Sequence, residues 1–191
     1  MEITPLHDED RQFPDLLLGG WNLRQATQPP RAEGMHVSVI INNMALTAGI
    51  STNKPIDADS VMRMTMGFVW EDIVGDYLAT FFHQITQIPA ERDNIHGTLD
   101  AYDTIAHEVH EYKATWKGED KAIQDAWRWY TQIKAYCLMT NVTSAKLRVL
   151  HLCPYPRPRT YKLVFTQQEL NENWQAILQH NDYMLNRKPA A

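Results

Sequence analysis

Apolar residues recur at intervals of three and four positions over much of the chain, a period that is typical of amphipathic α-helices. The period is clearest after a turn near Pro55, where Met66, Val69 and Ile73 continue one apolar stripe. Ser38 begins a shorter helical stretch, and serine favours helix N-terminal caps. The sequence therefore predicts four helices, over residues 38–47, 62–83, 119–140 and 168–185.

Runs rich in β-branched and aromatic residues lie between these helices and predict strands. Pro89 restricts the first strand to a sheet edge, and Asp103 with Thr104 predicts a tight turn between the second and the third. A proline-rich segment, residues 154–158, predicts a loop before the last strand. The predicted strands cover residues 87–92, 95–102, 105–115, 145–152 and 160–165. This order predicts an α/β (α+β) fold with a central mixed sheet flanked by helices, rather than repeated βαβ units.

The composition is that of a folded globular protein. The chain has 191 residues, 44% of them hydrophobic, which is enough for one domain with a proper core. Residues 1–34 are rich in proline, glycine and polar groups and predict an irregular arm, and residues 35–191 then form a single domain. No segment reaches the roughly 20 apolar residues of a membrane span, and the acidic N-terminus lacks a signal-peptide layout. We therefore expect a soluble, cytoplasmic protein.

The net charge, the cysteines and the histidines limit how the protein can bind nucleic acids and metals. The net charge of −5 means that a nucleic acid would be bound by a local positive patch or through metal ions. Cys137 and Cys153 are too few for an iron–sulfur cluster and lack a paired zinc spacing. His107 and His110 point to opposite faces of the predicted strand, which disfavours zinc held by both.

Charged residues interrupt two neighbouring predicted strands. Asp100 lies on the first, and Glu111 and Lys113 share one face of the second. Burying such groups costs free energy, and two carboxylates brought together repel unless a cation lies between them. A hard divalent ion such as Mg²⁺ or Mn²⁺ binds this kind of oxygen set. The alternative is a partly exposed sheet end where Glu111 and Lys113 are simply solvated or paired.

Four short motifs contain these charges in order along the chain. They are GFVWE (67–71), GTLD (97–100), EYK (111–113) and QIKAY (132–136). The motifs fall on a predicted helix, two predicted strands and a second predicted helix. With these motifs the chain resembles the PD-(D/E)xK nuclease superfamily, and in particular its RecB-like, phage-type exonuclease branch.

The resemblance implies a restriction-endonuclease-like core and metal-dependent hydrolysis of DNA phosphodiester bonds. It favours an exonuclease over an endonuclease, acting in recombination, repair or phage DNA processing. It further implies that Asp100, Glu111 and the main-chain carbonyl of Tyr112 hold Mg²⁺ or Mn²⁺, with help from Glu71. Lys113 would orient the attacking water or help to deprotonate it.

The remaining predicted contacts are with DNA. Gln132 and Tyr136 lie four residues apart on one helical face, and the resemblance places them near the lysine or the DNA backbone. Arg157 and Arg159, around the proline-rich segment, predict a local positive patch. Aromatic side chains predict stacking on unpaired bases, although tryptophans on a helix more often belong to the core. These residues are Trp116, Trp127, Trp129 and Tyr155.

Two other functions fit part of the pattern. The same fold can serve a nucleic-acid-binding protein that is catalytically silent, and the carboxylates alone would also suit a metal hydrolase of small phosphate esters. The QIKAY motif disfavours the second of these. Because the chain carries no helicase portion, the nuclease is expected to act alone, as a homo-oligomer, or after recruitment by a recombination or repair partner.

Overall fold

The computed structural model describes residues 18–19, 22, 34–51, 55–81, 83–118 and 126–186, and over residues 77–81 it describes the backbone. Most of the predicted N-terminal arm lies outside these ranges, as do the first residues of the helix predicted from residue 119. None of the described helices is both long enough and apolar enough to cross a membrane.

Within the described ranges, six strands form one mixed sheet, and four helices flank it. The strands are β1 (Met35–His36), β2 (Gln84–Arg92), β3 (Ile95–Asp103), β4 (Glu108–Thr115), β5 (Ser144–His151) and β6 (Arg157–Val164). The helices are α1 (Val37–Thr47), α2 (Ala58–Phe81), α3 (Trp127–Met139) and α4 (Gln167–Asn186). This architecture confirms the predicted α/β class with a central mixed sheet.

Strand β3 pairs with three other described strands, β1, β2 and β4. One edge pairs antiparallel with β2. The other edge pairs in parallel with β1 at Ile95 and His96, and then antiparallel with β4 from Ala101 to Asp103. Beyond β4 the sheet continues with β5 in parallel and β6 antiparallel. On this second edge, between the β1 and β4 pairings, residues 97–100 of β3 pair with no strand of the described ranges, although residues 97–99 pair with β2 on the first edge.

The two faces of the sheet are covered by different helices. Val109 and Tyr112 point to opposite faces of β4, because side chains alternate along a strand. Val109 belongs to the large apolar core, to which α1, α3 and α4 contribute. Tyr112 belongs to a smaller core with Ala101 of β3 and Val74 of α2. The sheet therefore lies between α2 on one face and the other three helices on the opposite face.

Both N-terminal helices begin earlier than their sequence patterns predict. Ser38 does not cap α1, because His36 occupies the N-cap position and makes no side-chain capping bond. The predicted cap is wrong because His36 pairs with β3, so the chain enters the helix directly from a strand. Helix α2 begins at Ala58 rather than at residue 62, since Asp57 Oδ1 accepts the Ser60 N–H at 2.8 Å and caps the first turn.

The turn between β3 and β4 lies later than predicted. Strand β3 extends to Asp103, and β4 begins at Glu108 rather than at residue 105. Asp103 Oδ1 accepts the N–H of Ile105 at 3.0 Å and that of Ala106 at 2.8 Å, which holds the chain in the turn. The predicted turn at Asp103 and Thr104 is therefore placed too early, because the Asp103 side chain supports the turn from the end of its strand.

Two edge strands are longer than the sequence indicates. Strand β2 begins at Gln84 rather than at residue 87, and Pro89 is tolerated because β2 pairs on one side with β3. Strand β6 begins at Arg157 rather than at residue 160, and Pro158 lies within it on the outer edge of the sheet. The predicted proline-rich loop is correspondingly shorter.

Candidate active site

The candidate site lies where β3 and β4 separate. Their pairing ends at Ala101 and His110, so the next two residues, Asp100 and Glu111, are not joined by the ladder. Instead, Asp100 Oδ2 accepts the main-chain N–H of Tyr112 at 2.7 Å. The N–H and C=O of one residue in a strand point to the same side. The carbonyl of Tyr112 is therefore directed into the gap that Asp100 occupies.

Glu111 and Lys113 extend from the same face of β4 beside this gap. The Glu111 side chain is fully buried, and the Lys113 ammonium donates a hydrogen bond to Glu111 Oε1. The second oxygen, Glu111 Oε2, is also buried, and it has no hydrogen-bond partner in the described part of the chain. An unpartnered buried carboxylate oxygen is costly and indicates a ligand that the protein itself does not supply.

The electrostatics of this group favour a cation. Burial raises the pKa of Glu111 to about 8, with a further contribution from the negative charge of Asp100. Burial also raises the pKa of Asp100, against the opposing effect of Lys113. For Lys113, burial would lower the pKa, but Glu111 and Asp100 together hold it above its usual range. One lysine therefore does not compensate the carboxylates around it.

Glu71 approaches the same group from α2. Its side chain is half-buried, and its negative charge contributes to the raised pKa of Glu111. Trp70 and Val74 seat this part of α2 against Tyr112. Within the described ranges, no three His, Cys, Asp or Glu side chains are arranged so that they could hold a metal ion together. A direct bond from Glu71 to a metal therefore stays a prediction.

The donors present fit Mg²⁺ or Mn²⁺. Two carboxylates, Asp100 and Glu111, adjoin the carbonyl of Tyr112, and all of these are hard oxygen donors. Mg²⁺ is typically bound by one or two carboxylates, with waters and substrate phosphate completing the octahedron. Such an ion would give Glu111 Oε2 the partner that this buried oxygen lacks within the described residues. Three protein side chains are not required for this ion.

The QIKAY motif of α3 lies against the β3 strand. Gln132 Nε2 donates to the hydroxyl of Tyr136 at 3.0 Å. A Cβ atom at Gly97 would lie 2.6 Å from the Tyr136 ring, so glycine is required for this close approach. Burial raises the pKa of Tyr136, and the charge of Glu111 adds to the effect. The structure thus brings the QIKAY and GTLD motifs into contact beside the carboxylates.

Two adjoining depressions border the site, one at Tyr136 and the other at Lys113. One, with a volume of about 740 Å³, is lined by His36, His96, Thr98 and Tyr136 among others. The other, of about 290 Å³, is lined by Lys113, Arg128 and Trp129 among others. Ser38 and Gln132 line both depressions, so the two meet at the N-terminal part of α1 and the middle of α3.

The structure places Arg157 and Arg159 on β6 rather than on a loop, and both are exposed. Arg159 pairs with Val149, which pairs with Lys113. Arg159 is therefore in register with Lys113 two strands away, roughly 10 Å across the sheet. A DNA contact by either arginine stays a prediction.

The predicted aromatic contacts divide into two groups. Trp127 and Trp129 pack partly buried against the large core, as helical tryptophans commonly do. Trp116 and Tyr155 are exposed. The rival histidine pair is not brought together, since His107 lies in the turn before β4 and bonds to Tyr102, whereas His110 is buried within the strand.

Sequence reasoning missed three residues behind the site, on the α2 face of the sheet. Gln84, His110 and Arg148 form hydrogen bonds there and surround the phenol of Tyr112. Burial, together with Arg148 and Lys146, lowers the pKa of His110 to about 4, so the ring is neutral. These residues lie far apart in the sequence, and only the register of β2, β4 and β5 brings them together.

The sequence matches no protein-family model and no curated protein. The structure is similar to solved structures that include SSO0001 and a phage-related exonuclease from Haemophilus somnus 129PT. SSO0001 is 12% identical, with a TM-score of 0.57 over 93% of this chain and 88% of that one. The exonuclease is 12% identical, with a TM-score of 0.52 over 78% of this chain and 82% of that one. These likenesses show the fold, and it is the fold that the resemblance to the PD-(D/E)xK exonucleases predicts.

Proposed function

We propose that this protein is a Mg²⁺- or Mn²⁺-dependent deoxyribonuclease that hydrolyses phosphodiester bonds. The observation that carries the proposal is the pair of carboxylates, Asp100 and Glu111, gathered beside Lys113 where two strands separate. The unpartnered oxygen of Glu111 supports a metal at this point. The fold that the chain shares with a phage-related exonuclease supports DNA as the substrate.

In this mechanism Asp100, Glu111 and the Tyr112 carbonyl would hold the ion, and Glu71 would assist from α2. When bound, the ion would act as a Lewis acid toward the phosphate oxygens and lower the pKa of a water. Lys113, whose ammonium donates to Glu111 Oε1, would orient the attacking water or help to deprotonate it.

DNA would reach these groups through the depressions that meet at Gln132. Gln132 and Tyr136 form one wall beside the carboxylates, and they would steady Lys113 or the DNA backbone. We propose exonuclease action, in recombination, repair or phage DNA processing. The protein would act alone, as a homo-oligomer, or after recruitment by a partner in that process.

A cleavage assay tests this function. End-labelled single-stranded, duplex and circular DNA are incubated with the full-length protein in Mg²⁺, Mn²⁺ or EDTA. We expect cleavage of linear DNA in either metal, none in EDTA, and sparing of circular DNA. Asp100→Ala and Lys113→Ala should each lower the rate at least about 100-fold, because Asp100 would hold the metal and Lys113 would act on the attacking water.

Asp182→Ala, an exposed acid on α4, is the matched control and should cleave like the wild type. Undiminished cleavage by Asp100→Ala or Lys113→Ala would contradict the mechanism. Retained DNA binding with no cleavage under any condition would favour the catalytically silent binding protein instead. Cleavage of closed circles at the rate of linear DNA would show an endonuclease.

A further inference from the structure

The reverse face of β4 carries a hydrogen-bonded network directly behind the candidate metal ligands. The Tyr112 hydroxyl donates to Gln84 Oε1 at 3.1 Å. Gln84 Nε2 donates to His110 Nδ1 at 2.7 Å, and Arg148 Nη1 donates to the same nitrogen at 2.7 Å. The Arg148 guanidinium also lies over the Tyr112 ring, 6.0 Å from its centre. The network thus ties β2, β4 and β5 together around one tyrosine.

Arg148 fixes the direction of every bond in this network. A guanidinium can only donate, so His110 Nδ1 must accept and carries no proton. Gln84 must then present its NH₂ group to His110, which leaves its carbonyl oxygen toward Tyr112. The Tyr112 hydroxyl can therefore only donate to that oxygen. This arrangement of protons is consistent across all three bonds, and it holds the phenol in one orientation. It leaves the proton of His110 on Nε2, which is buried and has no hydrogen-bond partner in the described part of the chain.

Tyr112 also lies close to the other predicted ligands. Its main-chain N–H donates to Asp100, and its chain neighbour is Glu111. Its ring packs against Val74 of α2, one turn beyond Glu71. A shift of the Tyr112 backbone would therefore displace its own carbonyl and the carboxylate of Asp100 together.

We propose that Gln84, His110 and Arg148 are positioning residues that hold Tyr112 so that its carbonyl and Asp100 are ready to bind the metal. This inference rests on the proposed function, because it concerns the same metal site. Groups behind a metal ligand commonly change metal affinity 10–100-fold when they are removed. Loss of the Tyr112 hydroxyl bond should therefore weaken metal binding while the ring and the fold remain.

The test measures Mn²⁺ binding to the full-length protein without DNA, from the electron paramagnetic resonance signal of free Mn²⁺. Tyr112→Phe removes the hydroxyl and keeps the ring, and Gln84→Leu removes the amide from the other end of the same bond. We expect each variant to bind Mn²⁺ about tenfold more weakly than the wild type. Tyr102→Phe is the matched control, because its hydroxyl bonds to His107 in the distant turn at 3.3 Å.

Circular dichroism spectra and urea unfolding confirm that the variants compared are folded at the assay temperature. If Tyr112→Phe and Gln84→Leu bind Mn²⁺ within twofold of the wild type, the positioning role is wrong and the metal site stands. The same weakening in Tyr102→Phe would also overturn it, since the effect would then not depend on the network. If the wild type binds no Mn²⁺, or if Asp100→Asn binds it unchanged, the metal proposal fails and this inference fails with it.

Discussion

Strand β4 carries two clusters of acids and lysines that have opposite charge balances. In the lysine-rich cluster, Glu108 contacts two lysines, Lys146 Nζ at 2.8 Å and Lys162 Nζ at 3.1 Å. In the acid-rich cluster, Lys113 is the one lysine of the described residues that pairs with Glu111 beside Asp100, and Glu71 approaches from α2. The two clusters begin only three residues apart, on opposite faces of the strand.

The numbers of neighbouring lysines and acids decide in which direction the pKa of each buried glutamate shifts. Burial alone would raise the pKa of Glu108, but Lys146 and Lys162 outweigh it and lower the pKa. Burial raises the pKa of Glu111 to about 8, and Asp100 adds to the rise. Both oxygens of Glu108 contact a lysine, whereas Glu111 Oε2 has no partner within the described residues. Of these two buried glutamates, Glu111 is therefore the one whose surroundings fit the proposed metal site.

The largest expected effect is a difference in cleavage rate between variants of Glu111 and of Glu108. Glu111→Gln should lower Mg²⁺-dependent cleavage of linear DNA at least about 100-fold, because it removes a charge that would hold the metal. Glu108→Gln should cleave at the wild-type rate, because its partners are lysines on the opposite face. Rates are compared on end-labelled duplex DNA at saturating Mg²⁺. Equal losses in the two variants would break the distinction between the clusters.

Much of this comparison could be predicted from the sequence. The strand alternation places Glu111 and Lys113 on one face, and the GTLD motif supplies a second acid, Asp100. The helical period of α2 and the spacing of Gln132 and Tyr136 are also local features. Such features depend on residues within a few positions of each other, so a sequence pattern records them.

The rest depends on contacts that a local pattern does not contain. Gln84 and Arg148 lie 26 and 38 residues from His110, and only strand register joins them. The same reason explains the wrong cap at Ser38, because pairing of His36 with β3 decides where α1 begins. Likewise, Arg157 joins β6 because β5 offers it a partner, although the prolines around it predict a loop.

A second effect is stabilisation by the metal. At a Mg²⁺ concentration 100 times the dissociation constant, we expect the free energy of unfolding to rise by about 2.7 kcal/mol, by mass action. Urea unfolding with Mg²⁺ and with EDTA measures this difference. Glu108→Gln should keep the full difference, and Glu111→Gln should lose most of it. A difference that survives in Glu111→Gln would place the ion elsewhere.

A third prediction concerns the contact between Gly97 and the Tyr136 ring, beside the acid-rich cluster. Gly97→Ala would bring a Cβ to within 2.6 Å of the Tyr136 ring, so the ring, α3 or β3 must move. We expect a loss of about 1–3 kcal/mol in the free energy of unfolding, together with slower cleavage. Gly67→Ala is the matched control, since no atom lies within 4 Å of a Cβ there, and alanine favours the helix. Unchanged unfolding of Gly97→Ala would show that this contact is easily relaxed.

The smallest effect concerns the lysine-rich cluster in acid. Because the folded-state pKa of Glu108 is lowered from 4.5, its contribution to stability is complete above that pH. The contribution is lost as the pH falls from there through the folded-state value. Lys162 is 65% exposed, so we expect the change to be at most about 1 kcal/mol. Urea unfolding between about pH 3 and pH 6 should show a flatter profile for Glu108→Gln than for the wild type. Parallel profiles would mean that the ion pairs of Glu108 with Lys146 and Lys162 do not stabilise the fold. The two buried glutamates would then not differ in how their lysines compensate them.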